Sequence, residues 1–195
     1  MPIPFSDVAR DLQFLSSMYL CKPTREALKG WNALLADDTS NVWTELKIAL
    51  QAIDTDSDET LEDVLWDFTR LFIGPYKLPC PPWESVYTSQ KRLLMQDAAD
   101  ATRALYAEFG LAIDDSNIMP DHIGAELNFL ALVLEEVDKE SGSVSRFADV
   151  GEKFLNEHLL QWAPRFTQDM EEAAKSSLYK TLARATRNVL ESIGH

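Results

Sequence analysis

The side chains best suited to chemistry in this chain stand close together at Asp121, His122 and Glu126. On a helix His122 and Glu126 share a face, so an imidazole and a carboxylate there could hold a metal ion or pass a proton, with Asp121 beside them. A metal-dependent hydrolase using these three residues is one reading. The other is local: Asp121 as a helix N-cap and His122 as a first-turn residue hydrogen-bonded to a loop carbonyl. A metal site asks for at least three ligands, and the remaining histidines, His158 and His195, lie in unrelated polar contexts. Cys21 and Cys80 are too few and too far apart for a disulfide framework or a four-ligand zinc site, so both are expected to be reduced. Cys80 is flanked by prolines and has no basic neighbour nearer than Lys77, which argues against a reactive thiol. There is no nucleophile-plus-base pattern, phosphate loop or zinc spacing, and no cofactor or metal is expected.

The residues that must position this group follow from periodicity. Val8, Leu12, Leu15 and Tyr19 predict a helix over Phe5–Leu20 with Ser6 as its cap; Thr24 caps a second helix carrying Leu28, Trp31 and Leu35. Val42, Leu46, Leu50 and Ile53 define a third. After the acidic run 54–59, a fourth helix over residues 60–72 carries the inner stripe Leu61, Val64, Leu65, Phe68, Leu71 and Phe72. Further helices are expected over 89–109, from Asp121-His122 through Val137, over 144–158, over Leu160–Ala173 with Pro164 in the first turn, and over Ser177–Ile193. No alternating run reads as a strand. The expected fold is all-α, a single helical-bundle domain over 1–195 of about 8–10 helices, with a hinge near 110–121.

The segment from Leu71 to Tyr87 is the exception to that pattern. Four prolines fall within eight residues, and each would cost a helix interior about 3 kcal/mol or more. The backbone from Gly74 to Pro82 is expected to be extended or turning. Yet Phe72, Ile73, Tyr76, Leu78, Trp83, Val86 and Tyr87 are the composition of a buried surface or a lined groove, unlike that of a solvated loop. Trp83 follows two prolines that hold the backbone extended, and it serves either as a core wedge or as a ligand platform.

The 195 residues carry 32 acidic against 18 basic side chains, a formal charge of −14. Such a surface repels nucleic-acid phosphates and anionic lipid and favours a cationic partner, or simply keeps the protein in solution. Asp7, Arg10 and Asp11 interrupt the first segment, and nothing approaches the roughly 20 apolar residues of a membrane span. A cytoplasmic location is expected.

Three groups of residues together resemble a known family. They are Phe68, Leu71, Phe72, Gly74 and Pro75; then Pro81-Pro82-Trp83-Glu84-Ser85-Val86-Tyr87; then Asp121-His122-Ile123-Gly124 with Glu126-Leu127-Asn128-Phe129-Leu130. The pattern is similar to that of the TorD/DmsD redox-enzyme maturation proteins, and to DmsD-like members in particular. The resemblance implies a cytoplasmic chaperone that binds the twin-arginine leader of a molybdenum-cofactor oxidoreductase, of the dimethyl sulfoxide or trimethylamine N-oxide reductase type, and assists its maturation before export. It further implies peptide-binding residues at Phe68, Leu71, Phe72, Pro82, Trp83, Asp121 and His122, with Phe68 where close relatives have tryptophan. The partners it implies are that leader, the client's mature body, and a second copy of the chain in a swapped dimer, the monomer being the alternative. The chain departs from the family at Ile118-Met119-Pro120-Asp121-His122, where the family often writes Glu-Pro-x-Asp-His.

Overall fold

The computed structural model describes residues 5–89, 97–111, 113, 118–139 and 146–194. In chain order the helices are α1 (Phe5–Leu20), α2 (Arg25–Leu35), α3 (Thr44–Gln51), α4 (Asp58–Phe68), α5 (Glu84–Thr88), α6 (Asp97–Glu108), α7 (Ile123–Lys139), α8 (Arg146–Phe154), α9 (Leu160–Ala173) and α10 (Ser177–Ile193). A 3-10 turn, Asn41–Trp43, leads into α3, and π-helical turns follow α4 at Thr69–Ile73 and α8 at Leu155–Leu159. There is no strand among the described residues, and the all-α expectation holds. The expected hinge near 110–121 falls partly on 112 and 114–117, outside the described residues.

The helices cluster into two compact units. The first comprises Met1–Leu20, Pro82–Pro164 and Ser192–His195; the second comprises Cys21–Pro81 and Arg165–Glu191. In the first, α1 lies along α7. Leu12, Leu15 and Met18 of α1 and Ile123, Leu127, Leu130 and Leu134 of α7 are all buried. The two backbones approach closely at Gly124, where an added Cβ would meet Leu20 Cγ at 2.6 Å, and Ser16 Oγ donates to the Gly124 carbonyl at 2.6 Å. A chain of rings, Tyr106, Phe129 and Phe154, fills the interior, with centroid spacings of 4.6 and 4.7 Å.

The second unit is organised on α4 and its π turn. Val64, Phe68, Leu71 and Phe72 point inward, and the Phe72 ring meets Phe68 at 5.4 Å and Tyr179 of α10 at 5.7 Å, both edge-on. Asp67 lies among them with 1% of its surface exposed. One of its oxygens accepts from Arg70 at 2.6 Å. The other accepts the backbone N–H groups of Lys175 and Ser176 at 2.9 and 2.8 Å. Those N–H groups stand just ahead of α10, where a helix start leaves donors without intrahelical acceptors.

Several expectations need correction. Ser6 lies inside α1 and does not cap it. Leu65 was assigned to the inner stripe but is 41% exposed; burial of Asp67 rotates the inner face of α4 toward 64, 67, 68 and 71. Helix persists past Phe68 to Ile73 through the π turn and resumes at Glu84, just beyond the expected break at Gly74–Pro82 and ahead of the next expected helix at 89. The non-helical stretch runs over 74–83 and contains all four prolines of the segment. Gly74 starts it at φ 102° and ψ −167°, a backbone region essentially restricted to glycine. No non-helical residue separates α8 from α9, where two separate helices were expected, because the π turn joins them. Pro164 is the fifth residue of α9, one beyond the first turn.

Replacing Asp67 with alanine removes the acceptor for the Lys175 and Ser176 N–H groups and unpairs Arg70. The expected loss is about 3 kcal/mol, to be read as a lowered urea midpoint with an unchanged slope.

Candidate functional site

In the first unit the prolines end against the start of α7. Prolines lack the N–H that would let the chain hydrogen-bond to itself, so carbonyls and N–H groups near them must find partners elsewhere. Here they find them on a segment far along the chain. Pro82 O accepts from Ile123 N–H at 2.9 Å, and Glu84 N–H donates to Asp121 O at 2.9 Å. Trp83 and His122 therefore face one another as an isolated antiparallel bridge, their rings edge to face at 6.1 Å. Asp121 adds its side chain: Oδ2 accepts from Ser85 N–H at 3.0 Å and caps α5. It does not cap its own helix, as one reading expected; its carboxylate instead takes a donor at the start of a helix 36 residues earlier.

His122 stands immediately before α7, and its Nδ1 accepts from Gly124 N–H at 3.1 Å. The expectation of a bond to a loop carbonyl is reversed: the ring accepts, and the proton of a neutral imidazole is left on Nε2. Burial pulls the His122 pKa from 6.5 down to about 4, so the ring is uncharged at neutral pH. Glu126, on the next turn, directs Oε2 to the indole N–H of Trp162 at 3.0 Å. Among the described residues no group of three or more His, Cys, Asp or Glu is arranged to hold a metal ion. The hydrolase reading of Asp121, His122 and Glu126 thus lacks its geometry, since each of the three is turned to a donor of the protein.

The expected site residues divide between the units. Pro82, Trp83, Asp121 and His122 come together in the first. Pro82 and Asp121 are buried, and Trp83 and His122 are half-buried. The indole N–H of Trp83 has no hydrogen-bond acceptor among the described residues. Phe68, Leu71 and Phe72 lie in the second unit with 2%, 0% and 4% exposure; their side chains form core, and the solvent side of the same helix belongs to other residues. Cys80 is buried beside them, its thiol directed to Leu71 O at 3.8 Å. Burial, reinforced by the Asp169 charge, pushes that thiol up to about 12, the unreactive state anticipated from its neighbours.

A buried polar cluster under the clasp was not anticipated. Glu84, 4% exposed, accepts or shares a proton with His158 Nδ1 at 2.9 Å. The His158 ring stacks on Phe154 at 5.0 Å, so its surroundings are not the polar context assigned to it. Glu126 is fully buried, and its carboxyl is held well above the ordinary range, first by burial and then by the charge of Glu84; the Trp162 bond opposes this. A second negative charge nearby disfavours ionisation, and burial places the raised value on Glu126. Tyr106 donates its hydroxyl to Pro120 O at 2.8 Å and pins the turn ahead of Asp121. The available signal was a charged residue, Glu84 or Glu126, inside an otherwise apolar run.

Residues 20–168 match the family model described as nitrate reductase delta subunit. The chain is 32% identical over 190 residues to the Tat proofreading chaperone DmsD of Salmonella typhi, covering 94% of this chain and 87% of that one. It is 28% identical to the chaperone protein TorD of Aliivibrio salmonicida, over 91% and 88% of the two chains. A solved redox enzyme maturation protein from Archaeoglobus fulgidus superposes with a TM-score of 0.65 at 27% identity, with 93% of each chain covered.

His122 and Glu126 set opposite pH limits on the fold. Between 6.5 and about 4 the unfolded histidine binds a proton that the folded one refuses, so stability falls as pH drops through that window. Glu126 in the fold keeps a proton that an unfolded glutamate releases near 4.5, so its contribution is lost as pH rises from there through the raised value. Urea midpoints across pH are expected to decline on both sides for the wild type. Glu126→Gln should flatten the alkaline side alone. An alkaline limb unchanged by that substitution would mean Glu126 is ionised in the fold.

Proposed function

This chain belongs to the nitrate reductase delta subunit family together with the DmsD and TorD chaperones, and from that premise we propose that it binds the twin-arginine leader of a molybdenum-cofactor oxidoreductase of the dimethyl sulfoxide or trimethylamine N-oxide reductase type. Its role is that of a chaperone in redox-enzyme maturation, not of a catalyst. In the proposed action it works in the cytoplasm, where it holds back export of the client until the cofactor is in place. No helix among the described residues is long and apolar enough to cross a membrane.

The observation that carries this reading is the backbone pairing of Trp83 with His122. It brings the proline-tryptophan segment and the Asp121-His122 segment into one clasp and leaves an indole and an imidazole half open beside each other. A leader of this class has a short basic stretch followed by an apolar one. If it buries roughly 400 Å² of apolar surface, the gross gain is about 10 kcal/mol at ~25 cal/mol/Å², less about 2–5 kcal/mol for ordering the peptide. Exposed ion pairs contribute only ~0–1 kcal/mol each. Apolar contact therefore carries affinity in this proposal, while the acidity of the chain supplies orientation and encounter rate.

The roles proposed for the seven residues differ accordingly. Trp83 and His122 touch the leader. Pro82 and Asp121 fix the backbone that presents them. Phe68, Leu71 and Phe72 support their own helix from beneath. Trp83→Ala is expected to weaken binding of a synthetic leader peptide by about thirtyfold or more, at low and high ionic strength alike, with thermal unfolding retained because the ring is only half-buried. A titration in which Trp83→Ala binds like wild type removes Trp83 from the site.

A further inference from the structure

The outward face of α4 is unlike an ordinary solvated helix surface. Trp66 is 58% exposed, Leu65 41%, Ile73 62% and Tyr76, just beyond the π turn, 87%. On the helix Glu62 and Trp66 are neighbours one turn apart, and Trp66 is followed by Arg70, whose guanidinium lies over the indole at 5.4 Å. Leu65 and Ile73 run alongside. Trp66 stands across the helix from the buried Val64, Phe68 and Leu71, and Leu65 lies to the side of that buried face, so the second unit's own core leaves them exposed.

Charge along this face is graded. The first two turns of α4 expose Glu59, Glu62 and Asp63, none of which makes an ion pair among the described residues. Asp58 beside them is already taken by Arg25 at 2.9 Å. At the far end the surface turns apolar at Trp66 and Ile73. Arg70 is committed inward to Asp67 and to Ala173 O. The face thus runs from carboxylates with no ion pair among the described residues to an exposed indole and aliphatic side chains, over roughly 20 Å from Glu59 to Ile73 at 1.5 Å per residue. An extended peptide covers that span in about six residues.

We propose that this face of α4 and its π turn is the contact surface for the leader in the second unit, taking the basic residues at Glu59, Glu62 and Asp63 and the following apolar residues on Leu65, Trp66 and Ile73. This rests on the leader-binding reading above and assigns the direction in which the peptide lies. The reverse direction sets the basic residues against the apolar side chains and leaves the carboxylates facing the apolar run, so it is disfavoured at both ends. Phe68, Leu71 and Phe72, buried on the opposite side of the same helix, hold Trp66 and Ile73 outward without touching the ligand.

The test uses a fluorescent synthetic peptide with two adjacent arginines followed by an apolar run, titrated into wild type, Trp66→Ala, the triple variant Glu59→Gln/Glu62→Gln/Asp63→Asn, and Trp83→Ala. Trp66→Ala is expected to bind about tenfold more weakly at low and high ionic strength. The triple variant should bind more weakly at low ionic strength only and lose most of the salt dependence of the wild type. All four positions are exposed, so unchanged circular dichroism and melting are expected. Wild-type binding by Trp66→Ala and the triple variant, with binding weakened in Trp83→Ala, overturns the α4 surface and leaves the leader reading standing. Failure of the wild type to bind the peptide overturns both.

Discussion

The constraint on which the clasp depends is the supply of hydrogen-bond partners to a backbone that proline has broken. Four prolines in 74–83 remove donors and forbid helix, so the polar groups at the end of that stretch must be matched by another segment. Residues 121–123 provide the match. Asp121 meets two needs at once, its carbonyl accepting Glu84 N–H and its carboxylate accepting Ser85 N–H. A five-residue helix such as α5 has too few internal bonds to persist alone. Its start is held by a residue 36 positions later, and the orientation of Trp83 follows from that.

The second unit solves a comparable problem in the same chemical way. Asp67 accepts the two N–H groups ahead of α10 and is charge-balanced by Arg70. A carboxylate in the interior is costly unless its oxygens are occupied. Both Asp67 and Asp121 take backbone donors at helix starts, where the positive end of the peptide dipoles favours an anion. Such bonds are directional and fix one geometry, which apolar contact between helices does less strictly.

Beneath the clasp the interior is polar. Burial holds the Glu126 carboxyl well above its ordinary range and His122 below its own, so both lean toward their neutral forms. The net charge of −14 resides instead on outer surfaces such as the first turns of α4. That arrangement separates two tasks: fixed backbone geometry inside, long-range attraction of cations outside.

Periodicity alone determined that this protein is all-helical, because the spacing of Leu12, Leu15 and Tyr19, or of Leu127, Leu130 and Leu134, admits little else. Residue chemistry alone also determined that residues 74–83 break the helical pattern, since proline acts on its own backbone whatever surrounds it. The pairing of Trp83 with His122 was foreshadowed by motif, but no local rule linked the two segments; only folding could decide which N–H each carbonyl meets. Tertiary structure alone likewise decided that Leu65 faces out while Asp67 faces in, because the backbone donors ahead of α10 that Asp67 accepts outweigh the simple apolar stripe of α4. Glu84, Glu126, His158 and Trp162 are separated by up to 78 residues in sequence. Their common burial, which sets the protonation of Glu126, depends on distances in space that a one-dimensional chain does not contain.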